Sequence, residues 1–239
     1  MQLAPGLHRL GNDIVACYLV VTDQGITLVD AGLPGHAKDL EAELSSLGRS
    51  LGDVRGIVLT HGDSDHVGFA ERLRRARQVP VFVGRADAAR ARGEKKTSPS
   101  WGRIRLGATG RFLAYVMRKG GLRTHYLGEV VDVDDGDVLD LPGSPRVIAL
   151  PGHSPGSIAV HVPAVDAVFV GDGLTTRHVL TGATGPAPAP FTDDPATALA
   201  SLDRLAGLGV RWVLPGHGSP WDGGTAEVVR RVRAAAAGA

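Results

Sequence analysis

Four ionisable residues crowd together directly after a predicted buried strand. Residues 56–60 (Gly-Ile-Val-Leu-Thr) have the length and the β-branched character of such a strand. His61, Asp63, Asp65 and His66 follow, which places four possible metal ligands within six residues. Packing alone does not explain so many ionisable side chains at the end of one strand. The string therefore predicts a metal centre at the carboxyl end of this strand.

Three further candidate ligands stand in the same kind of place. His153 lies in Pro-Gly-His-Ser-Pro-Gly, Asp172 in Gly-Asp-Gly and His217 in Pro-Gly-His-Gly. Ligand sites in α/β proteins form at the carboxyl ends of strands, so we expect these side chains to meet the first cluster. Each of them follows a predicted strand, at 146–150, 167–170 and 211–214.

Strands and helices alternate along both halves of the chain, which predicts mixed sheets with helices on their faces. We expect Asp194 to cap a helix over 195–208 and the Pro/Gly/Ala-rich residues 182–190 to form an exposed loop. Further strands are predicted at 14–21, 26–30, 80–83 and 158–162, and further helices at 37–47, 68–77 and in the Ala-rich C-terminal segment.

Composition excludes several classes of protein. The 239 residues are 43% hydrophobic but only 5% aromatic, so a sizeable core must consist mainly of aliphatic side chains. The apolar runs are too short for a transmembrane helix. A single cysteine, Cys17, excludes an internal disulfide framework and a cysteine-based zinc site. With no basic and apolar leader in view, we expect a cytoplasmic protein.

The net charge of +1 conceals an uneven distribution. Residues 72–123 carry 15 Lys or Arg against two acids, a local charge of 15 − 2 = +13, and the rest of the chain carries the balancing −12. Residues 101–117 are apolar on an irregular helical pattern. We therefore expect one domain over 1–239 in which residues 85–126 form a basic helical insertion, or lid, over the predicted metal centre.

In their order along the chain, these motifs resemble those of the metallo-β-lactamase-fold hydrolases. That superfamily carries an early Asp, a His-x-His-x-Asp-His motif, a Gly-His, a Gly-Asp and a final Gly-His. The counterparts here are Asp30, residues 61–66, His153, Asp172 and His217. The resemblance covers essentially the whole chain. It implies an α/β fold, a four-layer αββα sandwich of two mixed β-sheets flanked by helices, with metals at one edge of the sheets.

The resemblance also implies a ligand set for two divalent metal ions. Zinc is the first expectation, and iron or manganese are alternatives. Asp30 would orient a ligand histidine rather than bind a metal itself. The first metal would be held by His61, Asp63 and His153, the second by Asp65, His66 and His217, and Asp172 would bridge the two.

Catalysis in this family would use a metal-bridging hydroxide that attacks an electrophilic centre. Asp65 and Asp172 are the predicted catalytic residues: Asp172 bridges the metals, and Asp65 also assists proton transfer to the leaving group. Possible substrate contacts are Arg177 and His178, just beyond Asp172, and His125 and Tyr126, at the end of the basic segment.

Asp63 departs from the family pattern, which has a second histidine at this position. An aspartate is a competent oxygen ligand, so the site is altered rather than abolished. The additional carboxylate lowers the formal charge of the centre by one and shifts its preference towards manganese or iron relative to zinc. A weakly occupied first site, and thus a mononuclear enzyme, is the alternative.

Asp172 makes the chain similar to the glyoxalase II and lactonase branch of the superfamily. The leading hypothesis is hydrolysis of a small ester, lactone, thioester or related acyl substrate, and the basic lid would suit an anionic one. Phosphodiester or nucleic-acid hydrolysis is the first alternative, but the few aromatic residues make a nucleic-acid partner the weaker expectation. A metal-binding or redox protein without hydrolytic activity is the second alternative.

Overall fold

Runs of valine, isoleucine and leucine form most of the strands, because β-branched and aliphatic side chains fit a pleated, buried surface. A computed structural model of the chain describes residues 1–95 and 101–238. The strands are β1 (Gln2–Ala4), β2 (Leu7–Gly11), β3 (Ala16–Thr22), β4 (Gly25–Val29), β5 (Val54–Leu59), β6 (Val81–Gly84), β7 (Val131–Val133), β8 (Arg146–Ala149), β9 (Ile158–Val162), β10 (Ala167–Gly171), β11 (Thr175–Arg177), β12 (Thr184–Ala187) and β13 (Trp212–Pro215).

The helices alternate with these strands in both halves of the chain. Short 3-10 turns at 51–53, 85–87 and 163–165 complete the regular structure of the described residues. The α-helices are α1 (His36–Ser46), α2 (Ala70–Arg77), α3 (Ala88–Ala91), α4 (Leu106–Arg118), α5 (Pro195–Ser201), α6 (Asp203–Ala206) and α7 (Thr225–Ala237).

Two sheets carry the architecture. The first has the order β1-β2-β3-β4-β5-β6-β7, antiparallel up to β4 and parallel from β4 to β7. The second has the order β13-β10-β9-β8, in which β10 and β13 run parallel. A small sheet of β11 and β12 lies beside them. The carboxyl ends of β4 and β5, and likewise those of β10 and β13, are therefore neighbours.

Three separate apolar clusters show how the layers stack. One lies between the two sheets, where the rings of Tyr18 and Phe169 meet with their centroids 5.4 Å apart. A second covers the other face of the first sheet with α1 and α2, and a third covers the other face of the second sheet with α5, α6 and α7. The order is helix, sheet, sheet, helix, so the predicted αββα sandwich is confirmed.

Most predicted elements lie where the sequence placed them. The strand over 158–162 has the predicted bounds, and the Asp194 carboxylate caps α5 by accepting from the Thr197 amide at 3.0 Å. Cys17 is fully buried in β3. The single helix predicted over 195–208 is instead two helices, α5 and α6. The Ser201 hydroxyl, at the junction, donates to the Ala198 carbonyl and so competes with the regular helical hydrogen bonds.

The exposed loop predicted over 182–190 was wrong in its central part. Residues 184–187 form β12, which pairs with β11 through Thr175 and Arg177. Pro186 does not prevent this, because a strand at the edge of a sheet tolerates a residue without an amide proton. Ala189, beyond the strand, is buried.

Two helices lie within the predicted insertion, α3 and α4. The apolar pattern over 101–117 corresponds to α4, which begins five residues later than the pattern does. Residues 96–100 of the predicted insertion lie outside the described residues. No helix in the described parts of the chain has the length and apolar character needed to cross a membrane.

Candidate metal centre

The first group of candidate ligands gathers around Asp63. The Nε2 atoms of His61 and His153 lie 3.5 and 3.3 Å from Asp63 Oδ2. His61 and Asp63 follow β5 of the first sheet, and His153 follows β8 of the second. One potential ligand atom from each of the three side chains lies within 4.8 Å of the others, a separation that a single cation can bridge.

The second group consists of Asp65, His66 and His217, whose ligand atoms also lie within 4.8 Å of one another. His217 Nε2 is 3.5 Å from Asp65 Oδ2. The two histidines are almost fully buried, whereas Asp65 is partly exposed towards the cavity. This group again joins the two sheets, because His217 follows β13 while the other two follow β5.

Asp172 lies between the two groups. Its Oδ2 atom is 3.1 Å from His217 Nε2 and 3.7 Å from His153 Nε2, and its Oδ1 atom is 3.5 Å from His66 Nε2. Its carboxylate thus reaches histidines of both groups from the end of β10. The structure brings all seven predicted ligands into one cluster.

Three buried polar atoms of the cluster have no hydrogen-bond partner among the described residues: His61 Nε2, His66 Nε2 and Asp172 Oδ1. An unsatisfied buried polar group costs about 1–3 kcal/mol, so a folded protein rarely leaves several together without a further partner. Divalent cations held by the two groups would satisfy all three. The donor set, nitrogen and carboxylate oxygen without sulfur, fits zinc, iron or manganese.

The other ring nitrogen of each histidine fixes its tautomer. His66 Nδ1 donates to Asp30 Oδ2 at 2.9 Å, and His217 Nδ1 donates to a backbone carbonyl. Because neither acceptor can donate, Nδ1 keeps its proton and Nε2 is the ring nitrogen that faces the cluster. The same holds for the other two rings. His61 Nδ1 donates to the Thr60 hydroxyl, and His153 Nδ1 donates to the Thr192 hydroxyl. Each hydroxyl uses its own proton in another hydrogen bond, so it can only accept from the ring.

Asp30 holds the cluster without joining it. Its carboxylate accepts from His66, from the Thr60 amide at 2.8 Å and from the Thr60 hydroxyl at 2.9 Å. The residue has φ = +61°, a left-handed conformation that aspartate tolerates better than most side chains. This conformation turns its buried carboxylate back towards β5. The predicted role of Asp30 as an orienting residue agrees with this geometry.

Gly216 permits the close approach of the final motif. A Cβ atom at this position would lie 2.5 Å from the His66 ring and 2.6 Å from Asp172 Oδ1. Any larger residue would therefore displace two candidate ligands. The glycine of the Gly-His motif is a packing requirement of the cluster.

Two residues of the short helical segment after β6 support the cluster, and the sequence analysis missed both. Arg90 donates to Asp63 through Nε and through Nη2, the latter at 3.2 Å, and its Nη1 donates to Asp193 at 2.9 Å. Asp87, fully buried, accepts from the backbone amides of Gly62 and Gly156, each at 2.9 Å. A short Ala/Arg-rich segment gives no pattern by which either residue stands out.

Electrostatics within the cluster favour charge separation. Burial opposes ionisation of Asp172, but the His217 and His66 rings hold the pKa of its carboxyl well below the usual range. Burial likewise lowers the pKa of His217, yet Asp172 and Asp65 raise it to about 9. The carboxylate of Asp172 is therefore ionised at neutral pH, as a metal ligand must be.

A cavity of about 360 Å³ opens beside the cluster. Asp63 and Asp65 of the cluster line it, together with the polar side chains of Arg90, Lys95 and Tyr126. The rest of its lining is mainly apolar: Leu33, Trp101, Phe112, Val116 and Phe191.

One of the four predicted substrate contacts lines this cavity. Tyr126 lines it, whereas Arg177 lines a different cavity, formed with residues near the N-terminus. His178 and His125 are not among the described residues that line the cavity. The half-buried His178 has a lowered pKa because of burial and the nearby positive charge of His217.

Comparison with known proteins agrees with this architecture. Residues 10–217 match the Metallo-beta-lactamase superfamily. The "Probable metallo-hydrolase YflN" of Bacillus subtilis (strain 168) is 28% identical over 245 residues, which cover 93% of this chain and 87% of the relative.

Two solved structures extend the comparison. The metallo-beta-lactamase family protein TTHA1429 from Thermus thermophilus superposes with a TM-score of 0.72 at 26% identity, covering 99% of this chain and 81% of the other. TTHA1623, solved in a di-iron-bound form, superposes with a TM-score of 0.63 at 29% identity, covering 95% and 98%. The match over most of the chain shows that this protein belongs to the metallo-beta-lactamase superfamily.

Proposed function

We propose that this protein is a dinuclear metal-dependent hydrolase of small esters, lactones or thioesters. The observation that carries the proposal is the position of Asp172 between two three-residue groups, each able to hold one cation. Three unsatisfied buried atoms face the same space. Metallo-hydrolase relatives support the reaction class.

Two bound divalent cations would supply Lewis acidity that makes water nucleophilic at neutral pH and polarises the substrate carbonyl. The protein residues do the remaining work. The four histidines would offer Nε2 to the cations, because their Nδ1 protons are held by fixed acceptors. Asp65 is partly exposed where it lines the cavity, so its carboxylate can accept a proton from the attacking water and then pass that proton to the leaving group.

The cavity favours an acyl substrate with an apolar group. Its walls carry an aromatic pair, Trp101 and Phe191, whose rings meet edge to face with their centroids 5.5 Å apart. Phe112 and Val116 of α4 contribute a further apolar wall. Such a surface gains about 25 cal/mol for each Å² of apolar substrate that it removes from water. The exposed Lys95 offers a cationic contact for a carboxylate or another anionic group.

We propose that residues 85–126 act as the lid of this cavity within a single domain. Arg90, Trp101, Phe112 and Tyr126 all line the cavity and all belong to this segment. The inner side of α4 is fixed to the body of the protein: the Thr109 hydroxyl donates to the Leu180 carbonyl at 2.9 Å.

The identity and the number of the bound metal ions can be measured directly. With Asp63, the first metal position would have two carboxylate ligands, Asp63 and Asp172. Such a position favours iron or manganese more than one with three histidines would. Zinc is the other candidate. Metal analysis of protein purified without added metal should give two equivalents per chain. Zinc at two per chain would exclude the iron preference, and a single equivalent would support the mononuclear alternative.

Turnover tests the reaction. Metal-reconstituted protein should hydrolyse acyl esters, lactones or thioesters, and chelation should abolish turnover until metal is restored. Asp172→Ala should lower both metal content and kcat, whereas Asp166→Ala, which removes an exposed carboxylate before β10, should change neither. Full activity and full metal content in Asp172→Ala would overturn the dinuclear mechanism. Metal-dependent cleavage of a phosphodiester or of RNA, with no acyl hydrolysis, would favour the alternative reaction.

A further inference from the structure

The outer side of α4 and its flanks concentrates exposed apolar side chains. Of the nine large apolar residues that are exposed in the described parts of the chain, six lie between residues 101 and 122. Leu106 and Leu122 are the most exposed, at 85% and 77%. We call these six residues the α4 apolar surface: Trp101, Ile104, Leu106, Leu113, Met117 and Leu122.

Three of these residues form a single stripe along the helix. Leu106, Leu113 and Met117 are spaced by seven and four residues, and at 100° per residue they fall within about 40° of one another on the helix surface. Ala108 and Tyr115, on the opposite side, are buried against the protein. The helix therefore has apolar side chains on two sides, one packed against the protein and one directed to solvent.

The same stretch carries only positive charge. Residues 95–128 contain eight Lys or Arg and no Asp or Glu. Lys119 is paired with Asp39 at 2.7 Å, and Arg118 stacks over the Tyr115 ring. The remaining exposed arginines have no ion pair among the residues that the structure describes: Arg103, Arg105, Arg111 and Arg123.

The inner side of α4 holds this surface in place. The Tyr115 hydroxyl is 2.8 Å from His36 Nε2, and the Gly35 amide donates to the Lys119 carbonyl at 2.8 Å. Tyr115 also packs in a small apolar cluster with Val15 and Leu33. The outer face is thus presented to solvent by an anchored helix.

We propose that the α4 apolar surface docks this protein on an anionic lipid bilayer. Apolar side chains beside a rim of arginine match the acyl chains and the negative headgroups of such a surface. A second copy of this chain is disfavoured, because a two-fold contact would bring the four exposed arginines of this surface against those of the other copy, and residues 101–123 supply no acid to pair with them. Single-stranded nucleic acid is disfavoured because aliphatic side chains offer no stacking platform for bases, and Trp101 is the one aromatic member of the surface.

The docked orientation would place the cavity next to the membrane. Trp101 belongs both to the α4 apolar surface and to the cavity lining, and Phe112 and Val116 line the cavity from the inner side of the same helix. The docking surface and the cavity wall are thus two sides of one segment.

Vesicle binding tests the proposal without any substrate, so its outcome is separate from that of the hydrolase proposal. We expect the full chain to co-sediment with vesicles of equal parts phosphatidylcholine and phosphatidylglycerol. It should not co-sediment with phosphatidylcholine alone, and binding should weaken at high salt. Replacing Arg103, Arg111 and Arg123 by Gln should reduce partitioning about a hundredfold, at about 1 kcal/mol for each charge near the surface.

The apolar contribution has its own variant. Leu106→Ser, Leu113→Ser and Met117→Ser together should reduce partitioning at least about tenfold, since each removes apolar area from the bilayer contact. These side chains are exposed, so the thermal midpoint should be unchanged. Val131→Ser with Val138→Ser is the apolar control, and Arg72→Gln with Arg211→Gln and Arg233→Gln is the charge control. Both control sets lie outside the docking segment and should bind like the wild type.

Three outcomes would overturn the proposal. One is failure to bind the anionic vesicles at physiological salt. The second is equal binding by the wild type and both docking variants. The third is a dimer in light scattering that the triple serine variant dissociates, which would assign the surface to a second copy of the chain.

Discussion

The guanidinium of Arg90 contacts both carboxylate oxygens of Asp63, and its remaining nitrogen contacts Asp193. Arg90 is only 6% exposed, so the pair is largely shielded from water. Asp63 replaces a neutral histidine of the family pattern, and Arg90 adds the compensating positive charge. Arg90 therefore offsets part of the negative charge that Asp63 brings, because its guanidinium is shared with Asp193.

Removing this guanidinium should weaken metal binding at one of the two positions. In Arg90→Ala, Asp63 loses its geometric support, and we expect affinity for one of two metal equivalents to fall about 10–100-fold. Titration with a competing chelator measures this. Arg92→Ala is the matched control, because Arg92 lies in the same segment but pairs with Glu94 at the surface. Two equivalents bound with wild-type affinity in Arg90→Ala would show that Asp63 is held by other contacts.

Asp87 joins the two loops that carry the first group of ligands. Its carboxylate accepts from the Gly62 and Gly156 amides and from the Ser154 hydroxyl. In Asp87→Asn, an NH2 group replaces one carboxylate oxygen and faces a group that is itself a donor. We therefore expect the free energy of unfolding to fall by about 2–3 kcal/mol. Urea denaturation of the metal-free protein measures the loss. Asp137→Asn, at an exposed backbone cap, should cost less than about 1 kcal/mol, and equal losses in the two variants would contradict the prediction.

Phe191 should govern selectivity for the acyl group. Phe191→Ala removes one wall of the cavity and the edge-to-face contact with Trp101. We expect kcat/KM for a hexanoyl ester to fall about tenfold while that for an acetyl ester changes little, because only the longer chain reaches this wall. Leu122→Ala, which removes an exposed apolar side chain outside the cavity lining, is the control. A parallel loss for both esters would place the acyl group elsewhere.

Glu71 should make stability depend on pH. Its carboxylate accepts from Arg74, Arg75 and the Gly128 amide, and the hydrogen bond with Arg74 is the main reason that its pKa is lowered to about 2. A carboxylate with a lowered folded pKa stabilises the fold above its unfolded pKa, about 4.3, and loses that contribution as the pH falls towards 2.

The corresponding variant is Glu71→Gln. At pH 7 we expect its free energy of unfolding to be about 1–2 kcal/mol lower than that of the wild type. The exposure of Arg75 keeps this difference small. The difference should shrink between pH 4.5 and pH 2. Glu41→Gln is the control, because Glu41 is half-exposed and pairs at 3.6 Å with a solvent-facing arginine. A pH-independent difference for Glu71→Gln would mean that packing, not charge, accounts for the effect.

The sequence by itself determined the order of the elements and the identity of the seven clustered residues. The strand over 158–162 and the cap at Asp194 follow from local rules, because hydrophobic periodicity and capping depend on neighbours in the chain. The cluster was predictable because every candidate ligand follows a strand, and strand ends meet at one edge of the sandwich.

Only the tertiary structure decided what surrounds that cluster. Arg90 approaches Asp63, Asp87 joins two loops 94 residues apart (156 − 62), and β12 forms within a proline-rich segment because β11 is beside it. The outer face of α4 is exposed for the same reason, because its inner face forms hydrogen bonds with His36 and Leu180. These contacts join residues far apart in the chain, and their energies depend on the positions of both partners, which local sequence patterns do not specify.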